Sequence, residues 1–178
     1  QAQDYPSARW AVGLRMKSAV DGDIARAYDE GRILRTHILR PTWHFVARDD
    51  IRWMLALSAP RVHAASAYYY RQAGLDAKVF AKSCAMIQRA LEGGKTLTRQ
   101  ELATYLKRAK IPSEGLKLVY LVMQAELDGV ICSGPRKGKQ FTYALLDERA
   151  PKAKTKSRDE ALAELTRRYF TSHGPATV

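Results

Sequence analysis

The chain has 178 residues, 46% of them hydrophobic, enough for one sizeable domain or two small ones. Its 30 Lys and Arg outweigh 18 Asp and Glu, a formal net charge of +12. That surplus favours polyanionic partners, because each phosphate neutralised by a cation releases condensed counterions; a soluble basic protein without such a partner has the same balance. No apolar run nears bilayer-spanning length and the start is not signal-like, so no membrane partner is expected.

Residues 5–17 carry apolar side chains at helical spacing (Ala8, Val12, Met16), with Pro6 near the start, and predict a helix. A turn at Asp21-Gly22-Asp23 leads to a second helix over 24–30, stopped by Gly31. From 33 to 47 the β-branched and aromatic content rises, which predicts a two-stranded ribbon with Pro41 at an edge or bend. Asp49-Asp50 then supplies a helix cap, Pro60 is expected to kink or end that helix, and another helix carries Tyr68-Tyr69-Tyr70 to Gly74.

The following half parses more simply. Residues 80–91 are amphipathic and stop at Gly93-Gly94. Thr98 and Glu101 form an S/T-x-x-E capping box that opens a helix to about Ala109. Ile111-Pro112-Ser113 makes a turn, and a third helix covers 114–127. Two strands, 130–133 and 140–146, flank the basic turn Gly134-Pro135-Arg136-Lys137-Gly138-Lys139. Three helices and a two-stranded wing make a winged helix-turn-helix, and the helix–helix–ribbon before it resembles a worn copy. The expected class is therefore α+β, mainly α, with tandem winged helix-turn-helix units as a fragment of a larger protein. Its expected divisions are 1–78, 79–148, and 149–178, the last a basic linker (Lys152, Lys154, Lys156) followed by a helix over 159–170. The linker reads as a solvated hinge in preference to a DNA arm.

Chemistry is sought first at Arg35-Thr36-His37-Ile38-Leu39-Arg40-Pro41-Thr42-Trp43-His44-Phe45-Val46. With period two, Leu39, Pro41, Trp43 and Phe45 share one face, while Arg40, Thr42 and His44 share the other. His44 is a site residue or a half-buried structural histidine; His37, on the apolar parity, is read as structural. Lys117 and Gln124 on the third helix and Arg136, Lys137 and Lys139 on the wing suit DNA, although that helix is too apolar to read bases well, so backbone contact is favoured. Packing against a neighbour is the alternative. The three tyrosines are read as core packing ahead of base stacking. Cys84 and Cys132 lack zinc-ligand spacing and suit a reducing cytoplasm, so no metal or other cofactor is expected.

Gln1-Ala2-Gln3-Asp4, Arg35-Thr36, the run from Leu39 to Val46, Asp49-Asp50 with Trp53, and the late segment from Arg168 to Thr177 occur in an order that resembles the AlkZ/YcaQ-like winged-helix DNA glycosylases of bacteria. The resemblance covers nearly the whole chain. It implies tandem winged helices and a β-barrel wrapped round duplex DNA, with helical sequence before Gln1 and a third winged helix and barrel beyond Val178. It further implies a monofunctional, cytoplasmic enzyme, monomeric, that excises alkylated purines and in some members unhooks interstrand crosslinks. The family signature is Gln-Φ-Gln or Gln-Φ-Asp, with Φ apolar, and Gln1-Ala2-Gln3 fits the first form. By that resemblance Gln1 and Gln3 are the catalytic pair, Gln3 holding the water, and Thr42, His44 and Asp4 line the cleft. Arg35 and Arg40 join Lys117, Arg136, Lys137 and Lys139 on DNA. Asp4 beside Pro6 reads as a helix cap ahead of a catalytic base. A winged-helix DNA-binding regulator without catalysis is the alternative.

Overall fold

The computed structural model of the chain describes residues 1–18, 20–151 and 153–174. Of the expected features, Lys152 and the end of the late segment, 175–177, lie outside the described residues. The fold is α+β and mainly helical. No described helix is long and apolar enough to cross a membrane.

Helix α1 (Tyr5–Gly13) begins where Asp4 accepts the Ser7 backbone N–H at 2.9 Å, with a proline in the first turn where no N–H is needed. It ends four residues earlier than its apolar spacing predicted, and Trp10, Leu14 and Met16 lie exposed, so nothing buries the stripe that would have extended it. Asp21-Gly22-Asp23, expected as a turn, is instead the first turn of α2 (Asp21–Asp29). The carboxylates suit that position, and Asp23 accepts the Val20 N–H at 3.1 Å. Gly31, at φ +73°, closes α2. A Cβ there would meet the Arg149 guanidinium at 2.9 Å, and that guanidinium donates to the last carbonyls of α2, Tyr28 (2.9 Å) and Asp29 (2.6 Å).

Strands β1 (Ile33–His37) and β2 (Trp43–Ala47) pair antiparallel, with His37 opposite Trp43, Thr36 opposite His44 and Leu34 opposite Val46. The expected ribbon is present, with Pro41 in its turn. The two-faced strand expected through Leu39 to Phe45 is not: the chain reverses between 38 and 42, Leu39 takes φ +68°, and Leu39, Arg40 and Pro41 are exposed. Reversal resets the parity, so only residues 43–47 keep a strand's alternation.

Helix α3 (Ile51–Gln72) runs on through Pro60, where a kink or an end was expected, so Pro60 does not end it. Pro60 and Ala56, whose carbonyl the proline cannot serve, are both exposed, so water can take that acceptor. Asp50, expected to cap α3, uses its carboxylate on the Trp53 indole N–H (2.9 Å) and on Arg168 of the last helix (2.5 Å). The tyrosine triplet splits: Tyr70 is buried while Tyr68 and Tyr69 are exposed, because neighbours on a helix point about 100° apart.

Helix α4 (Ala77–Leu91) is capped by Asp76, which accepts the Val79 N–H at 2.8 Å. After β3 (Leu97–Thr98), α5 (Arg99–Arg108) opens on the predicted box, Thr98 N–H donating to the Glu101 carboxylate (2.7 Å) and Glu101 N–H to the Thr98 hydroxyl (3.2 Å). Then come α6 (Leu116–Leu127), β4 (Ile131–Ser133) and β5 (Thr142–Leu145), in a sheet ordered β3-β5-β4 and antiparallel throughout. A short α7 (Leu146–Arg149) and the final helix α8 (Arg158–His173) complete the described chain.

The core does not stop between the halves. Leu34, Ile38 and Val46 of the ribbon region and Ile51 and Leu55 of α3 pack with Cys132 of β4, Leu146 and Ala150. At that junction His37 Nδ1 lies 2.5 Å from the Glu126 carboxylate of α6, with both side chains at most 4% exposed. His37 is structural, as expected, but its partner was not foreseen. Removing one member of a buried pair leaves the other without compensation. Glu126→Ala should cost about 3 kcal/mol of unfolding free energy. Glu126→Gln, which keeps an oxygen for His37, should cost less than half of that. Urea unfolding of both variants checks this, and a midpoint for Glu126→Ala equal to that of the parent would contradict it.

Candidate active site and nucleic-acid face

Gln1-Ala2-Gln3 lies along the start of β2. Ala2 N–H donates to the Trp43 carbonyl at 2.6 Å, and Trp43 N–H donates to Gln3 Oε1 at 3.1 Å. The Ala2 carbonyl accepts from Arg35 Nε at 2.9 Å. Ala2 is wholly buried, while Gln1 and Gln3 on either side are exposed. A small apolar residue at the middle position therefore pins the motif, and the two amides flank it at the surface. Gln3 Oε1 has one lone pair held by Trp43, which fixes the amide, and a second that is available to a water hydrogen.

Arg35, expected on the DNA surface, is only 6% exposed and lies under the motif. Its backbone N–H donates to the Ser133 hydroxyl at 2.8 Å, and its guanidinium sits 4.2 Å from the Trp43 ring and 4.3 Å from the Phe141 ring. The same alternation continues outward. Arg136 stacks over Phe141 (4.8 Å) and Tyr5 (4.6 Å), and Arg9 lies over the other contact of Tyr5 at 5.1 Å. Arg136, expected as a free wing-tip cation, thus serves the junction between the wing and α1; its backbone N–H also donates to Asp29 at 2.9 Å. Cation–ring contacts contribute about 0.5–1 kcal/mol at exposed sites and about 2 kcal/mol where desolvated, as at Arg35.

The other expected residues divide. Asp4 is the α1 cap, and its bonds to Ser7 hold its carboxyl below the usual range. His44 is half-buried on β2, where Nδ1–H donates to the Thr42 carbonyl at 3.0 Å, which leaves Nε2 as an acceptor in the neutral ring. Thr42 Oγ1 and Trp43 Nε1 are buried without a hydrogen-bond partner among the described residues. Arg40 is exposed at the ribbon turn. Lys137 is exposed and pairs with Glu101 at 2.9 Å. Lys139 is exposed on the wing and lines a cavity with Arg35 and Trp43, whereas Lys117 lies apart, in a cavity with Tyr69, Glu114 and Tyr120.

Between the motif and the wing is a cavity of about 460 Å³, lined by Arg35, Trp43, Arg99, Lys139, Gln140 and Phe141 with Thr98, Gln100 and Tyr143. Arg99 was missed in the sequence; it lies inside the capping box, directly after Thr98, and only the fold carries it to the Trp43 ring, 5.5 Å away. Burial pushes the Tyr143 hydroxyl up to about 12, so it stays protonated. Among the described residues no three His, Cys, Asp or Glu side chains are grouped to hold a metal.

Burial holds His44 below its ordinary 6.5, and the nearby Arg40 charge acts in the same direction. The folded state then binds fewer protons than the unfolded one. The neutral ring's contribution is present above pH 6.5 and is lost as pH falls below it. An NMR titration should place the His44 midpoint under 6.5, and Arg40→Gln should raise it; a midpoint at or above 6.5 in the parent would contradict the assignment.

This geometry can be set beside known proteins. The curated Streptomyces sahachiroi protein named Interstrand DNA cross-link repair glycosylase is 26% identical over 185 residues, covering 100% of this chain and 50% of that protein. The solved structure of Streptomyces sahachiroi DNA glycosylase AlkZ superposes with a TM-score of 0.80 at 24% identity, over 99% of this chain and 49% of that one. The chain therefore spans about half the length of the relatives it matches. The family model described as DNA glycosylase AlkZ-like matches residues 1–178, so the chain belongs to the AlkZ-like DNA glycosylase family.

Proposed function

We propose that the chain carries the catalytic motif of a DNA glycosylase that excises positively charged, N3- or N7-alkylated purines from duplex DNA by attack of water at C1′. Unhooking of interstrand crosslinks is the same reaction at a purine joined to the opposite strand. What carries the reading is the pinning of Gln1-Ala2-Gln3 by Trp43 and Arg35, which holds two neutral amides at the surface beside a cationic cavity.

An alkylated purine is already cationic and leaves without protonation. The protein has to hold a water beside C1′ and stabilise the oxocarbenium-like transition state, which the dipole of an oriented amide oxygen does without serving as a base. Gln3, with one lone pair fixed by Trp43, is the water holder; Gln1 orients the water or the sugar. His44, neutral with Nε2 free to accept, and Thr42 line the cleft, and Arg40 meets a phosphate. Asp4 belongs to the helix start. With no carboxylate at Gln3, neutral lesions are poor substrates. No lysine in the motif offers a Schiff base, so the enzyme is monofunctional.

In this reading the two halves, 1–78 and 79–148, are winged-helix units. The order α4-β3-α5-α6-β4-β5 supports the second, and α1-α2-β1-β2 the first. Residues 149–178 lead on toward a third domain. The enzyme works as a monomer at the bacterial nucleoid. Most of the outer side of α6 that would read bases is apolar or covered, so DNA is held through its backbone.

The protein should release free base from duplex containing N7-methylguanine. Gln3→Ala should slow release about 100-fold or more while changing duplex affinity by less than about threefold. Duplex binding with no release from that lesion or from a crosslinked purine would leave a non-catalytic DNA-binding protein instead.

A further inference from the structure

We infer that the cavity between the motif and the wing is a binding site for one backbone phosphate of the damaged strand, held by Arg99, Lys139 and the terminal nitrogens of Arg35, and that it does not receive the excised base. The inference deepens the proposed function and rests on it for duplex DNA as the ligand.

The first argument is charge. Three cations line the cavity and no carboxylate does. Two acidic groups lie behind it and neither lines it: Glu101 is engaged with Lys137 and the Thr98 N–H, and Glu126 meets His37 through one oxygen while its other oxygen is buried without a partner among the described residues. A purine alkylated at N3 or N7 carries a positive charge and would be repelled here, whereas a phosphodiester would be attracted.

The second argument is which faces are free. Trp43 and Phe141 could in principle clasp a base, but Arg35 already occupies the space between them, at 4.2 and 4.3 Å. What remains toward the cavity is a set of donors. Arg35 is 6% exposed, and only its Nε and backbone N–H have hydrogen-bond acceptors among the described residues, so its two terminal nitrogens are unpartnered. Arg99 and Gln100 sit in the first turn of the ten-residue α5, where backbone N–H groups have no intrahelical acceptor and the helix end favours an anion. Gln140 and Lys139 add an amide and an ammonium from the wing.

The third argument is position. Arg35 and Trp43 line the cavity and both bond Ala2, so the cavity adjoins the motif through a single buried residue. A strand whose C1′ faces Gln3 has a phosphate within one nucleotide of that point. Holding that phosphate would place the sugar, a requirement for a water attack that the amides only orient.

The test is a binding measurement with a duplex carrying 2′-fluoro-N7-methylguanosine, in which the electron-withdrawing fluorine suppresses base loss. One phosphate at a time is replaced by a neutral methylphosphonate on either side of the lesion. For the parent protein, one linkage should weaken binding about tenfold, the value of a hydrogen-bonded charge contact. Arg99→Gln and the exposed Lys139→Gln should each weaken binding to all-phosphate DNA and lose most of the extra penalty at that same linkage. Their salt dependence should flatten by about one counterion. Lys95→Gln, an exposed change away from the cavity, should keep the full penalty. An undiminished penalty in Arg99→Gln and Lys139→Gln would overturn the inference. So would a loss in these variants of discrimination between alkylated and plain guanine, which would make the cavity a base pocket. Absence of any duplex binding would sink the proposed function along with it, whereas coupling at one linkage without base release would sink only the catalytic reading.

Discussion

The motif-bearing face depends on an alternation of guanidinium and aromatic ring. It runs from Arg99 over Trp43 to Arg35, Phe141, Arg136, Tyr5 and Arg9. Its members come from α5, β2, β1, the wing and α1, so it stitches together segments as far apart in sequence as Tyr5 and Phe141, 136 positions. Arginine suits this use because its flat, weakly hydrated cation can stack on two rings and still donate in its own plane; lysine cannot. Arg35 does both, and its in-plane bond to the Ala2 carbonyl is what seats the motif.

The same alternation changes what the basic surplus means. A chain with a net charge of +12 looks like a surface made for phosphate. Several of its arginines are nevertheless used internally: Arg35 under the motif, Arg136 between rings, and Arg149 at the end of α2, where burial lowers its proton affinity. The cations left facing the cavity are fewer and better placed than composition suggests. They are arranged around a site, not spread over a face.

Local signals were legible in the sequence wherever a short-range rule decides the outcome. The Thr98–Glu101 box, the Asp4 cap, the Gly31 stop and the ribbon with its proline turn all follow from residues within a few positions of one another. A second box, Ser157 with Glu160, opens the last helix by the same short-range rule. What failed needed distant partners. Asp50 looks like a cap until Arg168 and Trp53 claim its carboxylate. The parity of Leu39 to Phe45 assumes a strand that does not reverse. Glu126 reads as a polar residue on an apolar helix, and nothing nearby announces His37. Gln1 and Gln3 were singled out by resemblance and His44 first by its strand face, and Gln3 meets β2 next to His44, while Arg99 has no local mark at all, since its partners are a strand and a wing folded against it.

Helix α6 has a consequence of its own. Leu121, Val122, Met123, Ala125, Glu126 and Leu127 are all buried, so the C-terminal half of α6 packs inside the protein and leaves little side-chain surface to enter a groove. On the proposed function, a protein built this way meets successive base pairs with nearly equal energy. The energy profile along the duplex is then smooth, set by phosphates that repeat identically at every step, and one-dimensional diffusion meets little roughness. A searcher for rare chemical damage gains coverage from this indifference, because a lesion arises in every sequence context and the scan must not stall on any of them.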